Sequence, residues 1–274
     1  MKDPGWRIVG ISTWVVAIAC GAVAAAGPEA SRQAEVERFL REGTVVSMKE
    51  IGSGITKPLR VELELYGRTM RAAFKTVAIH NPGVSQFPDG SKEIDFRDDY
   101  RYEYAAYLLD RRLGMNMVPV TVLREIDGSP GALVEWVEDG ISEAKRMARD
   151  NAMPEPLRRQ QSVMLIFDTL IGNVDRHGSN QLITADQKLH LIDHSRSFRK
   201  QRSLPAQFSR IPAGIFADVL EQLESLQQDE LGELLGDVLS GVQIKALLKR
   251  RDKIVEKIRT DIREYGENVV LWKR

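Results

Sequence analysis

Apolar and polar positions follow two different periods along this chain, with the change near residue 140. Thr44 to Ile51, Arg60 to Tyr66 and Met70 to Ile79 carry β-branched residues in rough alternation, which predicts three strands. The first two are joined by the glycine-containing stretch Gly52-Ser53-Gly54-Ile55-Thr56-Lys57-Pro58. Asn81 to Asp95 is rich in turn formers and reads as an excursion on the surface. From Asp98 to Leu113 the apolar residues recur at helical spacing, and Leu113-Gly114 marks the stop. Val118 to Leu123 and Ala132 to Val137 read as two further strands, with Asp127-Gly128-Ser129-Pro130-Gly131 as the turn between them.

Beyond Glu138-Asp139-Gly140 the pattern is helical. Ile141 to Arg149, Pro156 to Ile171 and most of Ala213 to Tyr265 have helical spacing, and Gly172 to Phe198 reads as loop, strand and loop. A β-rich half with one helix therefore precedes an α-rich half. That order predicts an α+β chain of two lobes, 44–138 and 139–274, rather than the alternating units of a doubly wound sheet. Residues 28 to 42 form a polar helical pattern ended by Gly43, so 27–43 is expected to be a linker helix. In the last third, Lys245 and the run Lys249-Arg250-Arg251 read as a solvated helix face.

Composition narrows the function classes. Lys plus Arg equals Asp plus Glu at 39 each in 274 residues, so no global field favours nucleic acid, and no nucleic-acid partner is expected. Cys20 is the single cysteine, which excludes a disulfide framework and a cysteine-based zinc site. Of the four histidines, His190 and His194 stand four apart but flank a strand-like segment rather than lying on a helix, so a zinc site there is not expected. Lys2 and Arg7 precede an uncharged run from Ile8 to Ala26 that closes on small residues. Residues 1–26 are thus expected to be a signal peptide, an anchor holding the chain to a membrane through residues 8–26, or a lipoprotein signal ending at Cys20. Each places the rest of the chain outside the cytoplasm. A misassigned start codon would leave it cytoplasmic.

The chemistry-bearing stretch runs from Asp168 to Phe198. Asp175 and Asn180 stand five residues apart, and Asp193 follows the short apolar segment Leu189 to Ile192. Phosphoryl transfer needs a carboxylate to orient the acceptor hydroxyl and oxygen ligands for magnesium, and these three residues supply that set. Asp168 is expected to hold the loop's backbone and His177 to fix it by a hydrogen bond. Upstream, Lys75 interrupts the apolar pattern in the middle of the third strand, and Glu103 sits among apolar residues of the following helix. An ion pair between them would place a cation on nucleotide phosphates. Gly52, Ser53 and Gly54 suit a loop that lets backbone N–H groups approach an anion.

Asp-Arg-His-x-x-Asn followed by Ile-Asp resembles the catalytic and metal loops of phosphoinositide 3- and 4-kinases. Ile-Gly-Asn-x-Asp-Arg-His is similar to HipA-type bacterial kinases and to the secretory-pathway, Golgi casein kinase type family. The resemblance covers roughly Thr44 to the C-terminus. It implies a two-lobed protein-kinase-like fold and an atypical kinase that binds ATP with Mg2+ (or Mn2+). In that reading Asp175 is the catalytic carboxylate, Asn180 and Asp193 are metal ligands, and Lys75, Glu103, Gly52, Ser53, Gly54, Glu135 and Val137 hold the nucleotide. The phosphate acceptor would be a hydroxyl of protein Ser/Thr or of a glycan. The chain departs from the pattern at Ser195, where kinase-like families often carry glycine. The rival reading is an inert pseudokinase that binds nucleotide and acts as a binding module.

Overall fold

A computed structural model describes residues 28–51, 58–87, 90–150, 152–206, 208 and 214–274. The segment 1–26 and the loop residues Gly52, Ser53 and Gly54 lie outside the described residues.

The first half is built on a five-stranded antiparallel sheet, ordered β1-β2-β3-β7-β6. Its strands are β1 (Thr44–Glu50), β2 (Leu59–Leu65), β3 (Arg68–Lys75), β6 (Thr121–Ile126) and β7 (Ser129–Glu135). Alternation decides which face is buried: Val61, Leu63, Ala72 and Phe74 point inward from β2 and β3. Gly131 is required where β7 crosses β3, because a Cβ there would stand 2.4 Å from the Phe74 ring and 2.6 Å from the Lys75 carbonyl. The helix α1 (Pro28–Glu42) lies against this sheet through Val36, Phe39 and Leu40, and Arg124 donates to the Leu40 carbonyl. Expected as a linker, it is a packed layer of the sheet-rich part.

The stretch read as a surface excursion is a β-hairpin. Strands β4 (Ala78–Gln86) and β5 (Lys92–Asp99) pair antiparallel, and a bulge between Asn81 and Val84 accommodates Pro82 and Gly83. The expected third strand therefore ends at Lys75, and Asp98 and Asp99 belong to β5 rather than to the helix. That helix is α2 (Arg101–Arg112). It buries Tyr102, Glu103, Ala105, Ala106 and Leu109. Glu37 of α1 accepts hydrogen bonds from Tyr107 and Arg111 of α2, each at 2.6 Å, so the two helices are fastened together. The turn between β6 and β7 is shorter than expected, with Asp127 and Gly128 both in left-handed backbone.

The second half opens with β8 (Ile141–Ser142) and α3 (Glu143–Arg149), followed by α4 (Glu155–Ile171). The seventeen-residue α4 buries Val163, Ile166, Phe167 and Leu170, and Gly172 stops it in left-handed backbone at φ 64°. A three-residue 3-10 turn (Gly178–Asn180), β9 (Gln181–Ile183) and β10 (Leu189–Leu191) follow; β8, β9 and β10 form a small antiparallel sheet. Then come β11 (Ile215–Phe216), α5 (Ala217–Ser225), α6 (Gln228–Leu235), α7 (Gly241–Tyr265), α8 (Glu267–Val270) and β12 (Leu271–Trp272). One continuous apolar core runs from Val36 through Leu133 and Phe167 to Ile258. Among the described residues no helix is long and apolar enough to cross a membrane.

The basic cluster of α7 is not a uniformly solvated face. Arg250 is 2% exposed, and its guanidinium donates to the carbonyls of Leu170, Arg199 and Gln201. Arg251 donates to the carbonyls of Leu223 and Leu226. Lys245 and Lys249 keep the expected surface role.

Candidate active site

Lys75 is the last residue of β3, and its ammonium meets two carboxylates there. Nζ is 2.6 Å from Glu103 Oε1 and 2.9 Å from Asp193 Oδ1. Burial opposes the charge on Lys75, but Glu103 and Asp193 more than offset it, and its pKa lies above the ordinary lysine value. Burial likewise opposes the charge on Glu103. Lys75, and the hydrogen bond from His194, reverse that and hold Glu103 below the usual carboxylate range. Because α2 is packed on the sheet and fastened to α1, Glu103 has a fixed point from which to reach Lys75.

The loop after α4 is organised from its base. Asp168 accepts both arms of the Arg176 guanidinium, at 2.9 and 3.0 Å, and the Asn173 amide at 2.9 Å. Arg176 also donates to the carbonyls of Asn180 and Ile192, each at 2.6 Å. One buried guanidinium thus joins the loop that carries Asp175 to the strand end that carries Asp193. Asp175 donates its N–H to Asn173 Oδ1, and its carbonyl accepts from Asn180 Nδ2 at 3.1 Å. The role expected of Asp168 agrees with these contacts. His177 also fixes the loop locally, since its Nδ1 accepts from the Ser179 N–H at 3.3 Å.

Asp193 sits in left-handed backbone, φ 65°, two residues past the end of β10. The following residues are anchored one by one. The His194 N–H donates to Glu103 Oε1 at 3.0 Å, and its Nδ1 lies 3.3 Å from Oε2. Burial lowers the His194 pKa despite that neighbour, which favours the neutral ring. Ser195 is hydrogen bonded to the Asp98 carboxylate, and its carbonyl accepts the Asp99 N–H. A side chain at Ser195, where glycine was the expectation from the resemblance, is therefore accommodated by β5. Burial, reinforced by Asp193, raises the pKa of Asp98.

Of the residues named from sequence, Lys75, Glu103 and Asp193 meet directly. Asn180 is tied to the same cluster through Ile192, whose N–H donates to the Asn180 carbonyl at 3.2 Å, and Asp175 joins through Asn180. Glu135 and Val137 stand on the other side, at and just past the end of β7. The Glu135 N–H is taken up by the Val120 carbonyl and its side chain by Arg32 and the Val120 N–H, so neither is free for the role assigned to this residue. Residues that the sequence did not mark also enter: Glu93, Phe87 and Phe96 of the hairpin surround Arg196. The one signal for them was the position of Arg196 three residues after Asp193.

A sheet of five strands, a helix whose glutamate pairs with a strand lysine, and a loop–strand–loop below them form a known arrangement. The crystal structure of a Golgi casein kinase superposes with a TM-score of 0.62 over 88% of this chain and 77% of that one, at 14% identity. The chain has an atypical kinase-like fold. The crystal structure of the Helicobacter pylori proinflammatory kinase CtkA shares it, with a TM-score of 0.53, 14% identity and coverage of 85% of this chain and 98% of that one. In sequence, the chain is similar to protein Rv2133c of Mycobacterium tuberculosis, 24% identical over 79% of this chain and 87% of that protein, a distant homologue. No family model matches the chain. The kinase-like fold accounts for the sheet-rich first part and the helical second part with the cluster between them.

Proposed function

We propose that this chain is a phosphotransferase that moves the terminal phosphoryl group of ATP to a hydroxyl acceptor. The observation that carries the reading is the Lys75 ammonium held between Glu103 and Asp193. A lysine so placed is fixed in position and kept protonated, as a phosphate clamp needs to be. A Mg2+ ion fits the donors present: Asp193 and Asn180 offer oxygen, the ligand such a hard cation takes. The amide nitrogen of Asn180 is engaged by the Asp175 carbonyl, which leaves its oxygen as the ligand end. Among the described residues no three His, Cys, Asp or Glu side chains gather into a metal cage, so phosphate and water oxygens would complete the shell. When bound, the ion would neutralise charge on the phosphates.

The chain's own residues divide the remaining work. Lys75 holds the phosphates, and Glu103 holds Lys75. Asp175 orients the acceptor hydroxyl: its oxygen bonds to the terminal phosphorus, the bond from that phosphorus to the bridging oxygen breaks, and the proton passes to the carboxylate. Such a transition state is loose and demands positioning more than strong base catalysis. Protein Ser/Thr and glycan hydroxyls are the acceptors we favour, by analogy with the fold neighbours.

The test is magnesium-dependent ATP binding and turnover by the purified chain, alongside Lys75→Met and Asp193→Asn. Each substitution should lower turnover by roughly a hundredfold or more, the usual loss when one group that stabilises transition-state charge is removed. An Asp193→Asn variant with the parental rate would sink the assignment. Magnesium-dependent binding with no turnover would favour a nucleotide-binding module instead.

A further inference from the structure

Four consecutive residues after β10 are each held by a residue lying between positions 75 and 103. Lys75 holds Asp193, Glu103 holds His194, and Asp98 holds Ser195. Arg196 is held by the hairpin. Its Nη2 donates to Glu93 Oε2 at 2.8 Å, and its guanidinium lies 5.7 Å from the Phe87 ring centroid and 5.4 Å from that of Phe96. The two rings stack edge to face at 5.2 Å, and Arg199 pairs with the other oxygen of Glu93. A planar guanidinium wedged by two aromatic rings and a carboxylate keeps little rotational freedom.

The same guanidinium has one more neighbour. Arg196 Nη1 stands 3.3 Å from Asp175 Oδ1. The main chain of Asp175 is fixed by Asn173 and Asn180, and Arg196 adds a contact to its carboxylate. An exposed ion pair would contribute little. Here the arginine is three-quarters buried at 25% exposure, and its orientation is set by groups that have nothing to do with Asp175. The contact therefore transmits the position of the hairpin to the carboxylate.

We propose that Arg196 is a positioning residue for Asp175, and that the β4–β5 hairpin, through Glu93, Phe87 and Phe96, is part of the phosphotransfer site. The inference rests on the phosphotransferase reading of Asp175. It predicts that the hairpin affects the chemical step and leaves nucleotide binding alone, because Lys75 and Asp193 do not depend on Arg196.

The experiment measures Mg-ATP turnover to ADP, KM for ATP and Mg-ATP affinity by calorimetry for the full chain and for Arg196→Gln, Arg196→Lys and Arg199→Gln. Arg196→Gln should lose roughly ten- to a hundredfold in kcat, the scale of a misplaced reacting group, with KM and affinity unchanged. Arg196→Lys, which keeps the charge, should recover part of the loss. Arg199→Gln, which removes one of the two arginines on Glu93 but leaves the Arg196–Glu93 pair, should lose less kcat than Arg196→Gln. Parental turnover in Arg196→Gln would overturn the inference, and so would a loss in Arg199→Gln as large as that in Arg196→Gln, since the Arg196–Asp175 contact would then add nothing to the anchoring of the hairpin. A parent chain that turns over no ATP would instead defeat the phosphotransferase reading, and this inference with it.

Discussion

Arg250 is a buried cation that, among the described residues, donates to three carbonyls. Its Nε donates to the Leu170 carbonyl at 2.8 Å, in the last turn of α4, and Nη1 donates to the carbonyls of Arg199 and Gln201. Burial lowers its pKa to about 10. The negative end of the α4 dipole helps to hold the charge. Replacing it by methionine keeps much of the volume but removes three charge-assisted hydrogen bonds, each contributing about 1.5–3 kcal/mol. Part of that loss is offset, because a buried guanidinium no longer has to be desolvated. We expect a net destabilisation of about 2–4 kcal/mol, measured as a shift in urea midpoint at constant slope. Lysine should do little better, since an ammonium cannot reproduce the fork that spans Leu170 and Arg199. The segment 199–201 should also open to protease sooner than the rest of the chain, as it loses its tie to α4. A methionine variant as stable as the parent would refute the reasoning, as would full rescue by lysine.

Three further outcomes follow from the same contacts. Asp168→Asn leaves the buried Arg176 charge without its bidentate partner, and should cost about 3–5 kcal/mol in thermal or urea unfolding together with most of any turnover; parental stability would mean the loop is organised otherwise. Burial, then Lys188, push His190 from 6.5 down to about 4, so its neutral form is favoured in the folded state. That stability is present above pH 6.5 and is lost as pH falls from about 6.5 towards 4; discounted for partial exposure it amounts to roughly 2–3 kcal/mol, which a His190→Gln variant should lack in acid unfolding curves. For the N-terminal segment we propose export, and a fusion of residues 1–40 to a reporter active only outside the cytoplasm should be active; activity confined to the cytoplasm would overturn the localisation and leave the fold untouched.

Local pattern and tertiary contact contributed differently to what the sequence revealed. Helix α1 was readable because its polar run ends at Gly43, and the strands of the main sheet because Val61, Leu63, Ala72 and Phe74 alternate with polar residues. The hairpin was hidden because Pro82, Gly83, Pro88 and Gly90 interrupt any alternation. What holds β5 in place is Arg196 and Arg199 on Glu93 and the Phe87–Phe96 pair. The two arginine contacts come from 103 and 106 residues away in sequence. Arg250 was misread for another reason: basic neighbours drew attention to charge rather than to period. Leu247, Arg250, Ile254 and Ile258 fall at helical spacing on the buried face of α7, so the position itself was apolar in pattern and charged in identity. An arginine at such a position has to find carbonyls or carboxylates inside the fold.

The candidate site shows the same division within a few residues. Asp175, Asn180 and Asp193 could be named because their chemical types stand at the spacing that phosphoryl transfer would require. Lys75 and Glu103 could be read because charge in an apolar context implies a partner, and they prove to be each other's at 2.6 Å. The partners of Ser195 and Arg196 could not, since nothing in the spacing says what the residues after Asp193 should touch. Those partners, Asp98 and Glu93, lie in the hairpin that the sequence concealed. The unpredicted element and the unpredicted site residues are thus one omission. A hairpin placed between the lysine strand and the glutamate helix can reach the loop after β10, and this one does so through the residues that follow Asp193. If the loop's geometry depends on that reach, deleting the hairpin tip should disturb Asp175 before it disturbs the Lys75–Glu103 pair, which α1 and α2 hold independently.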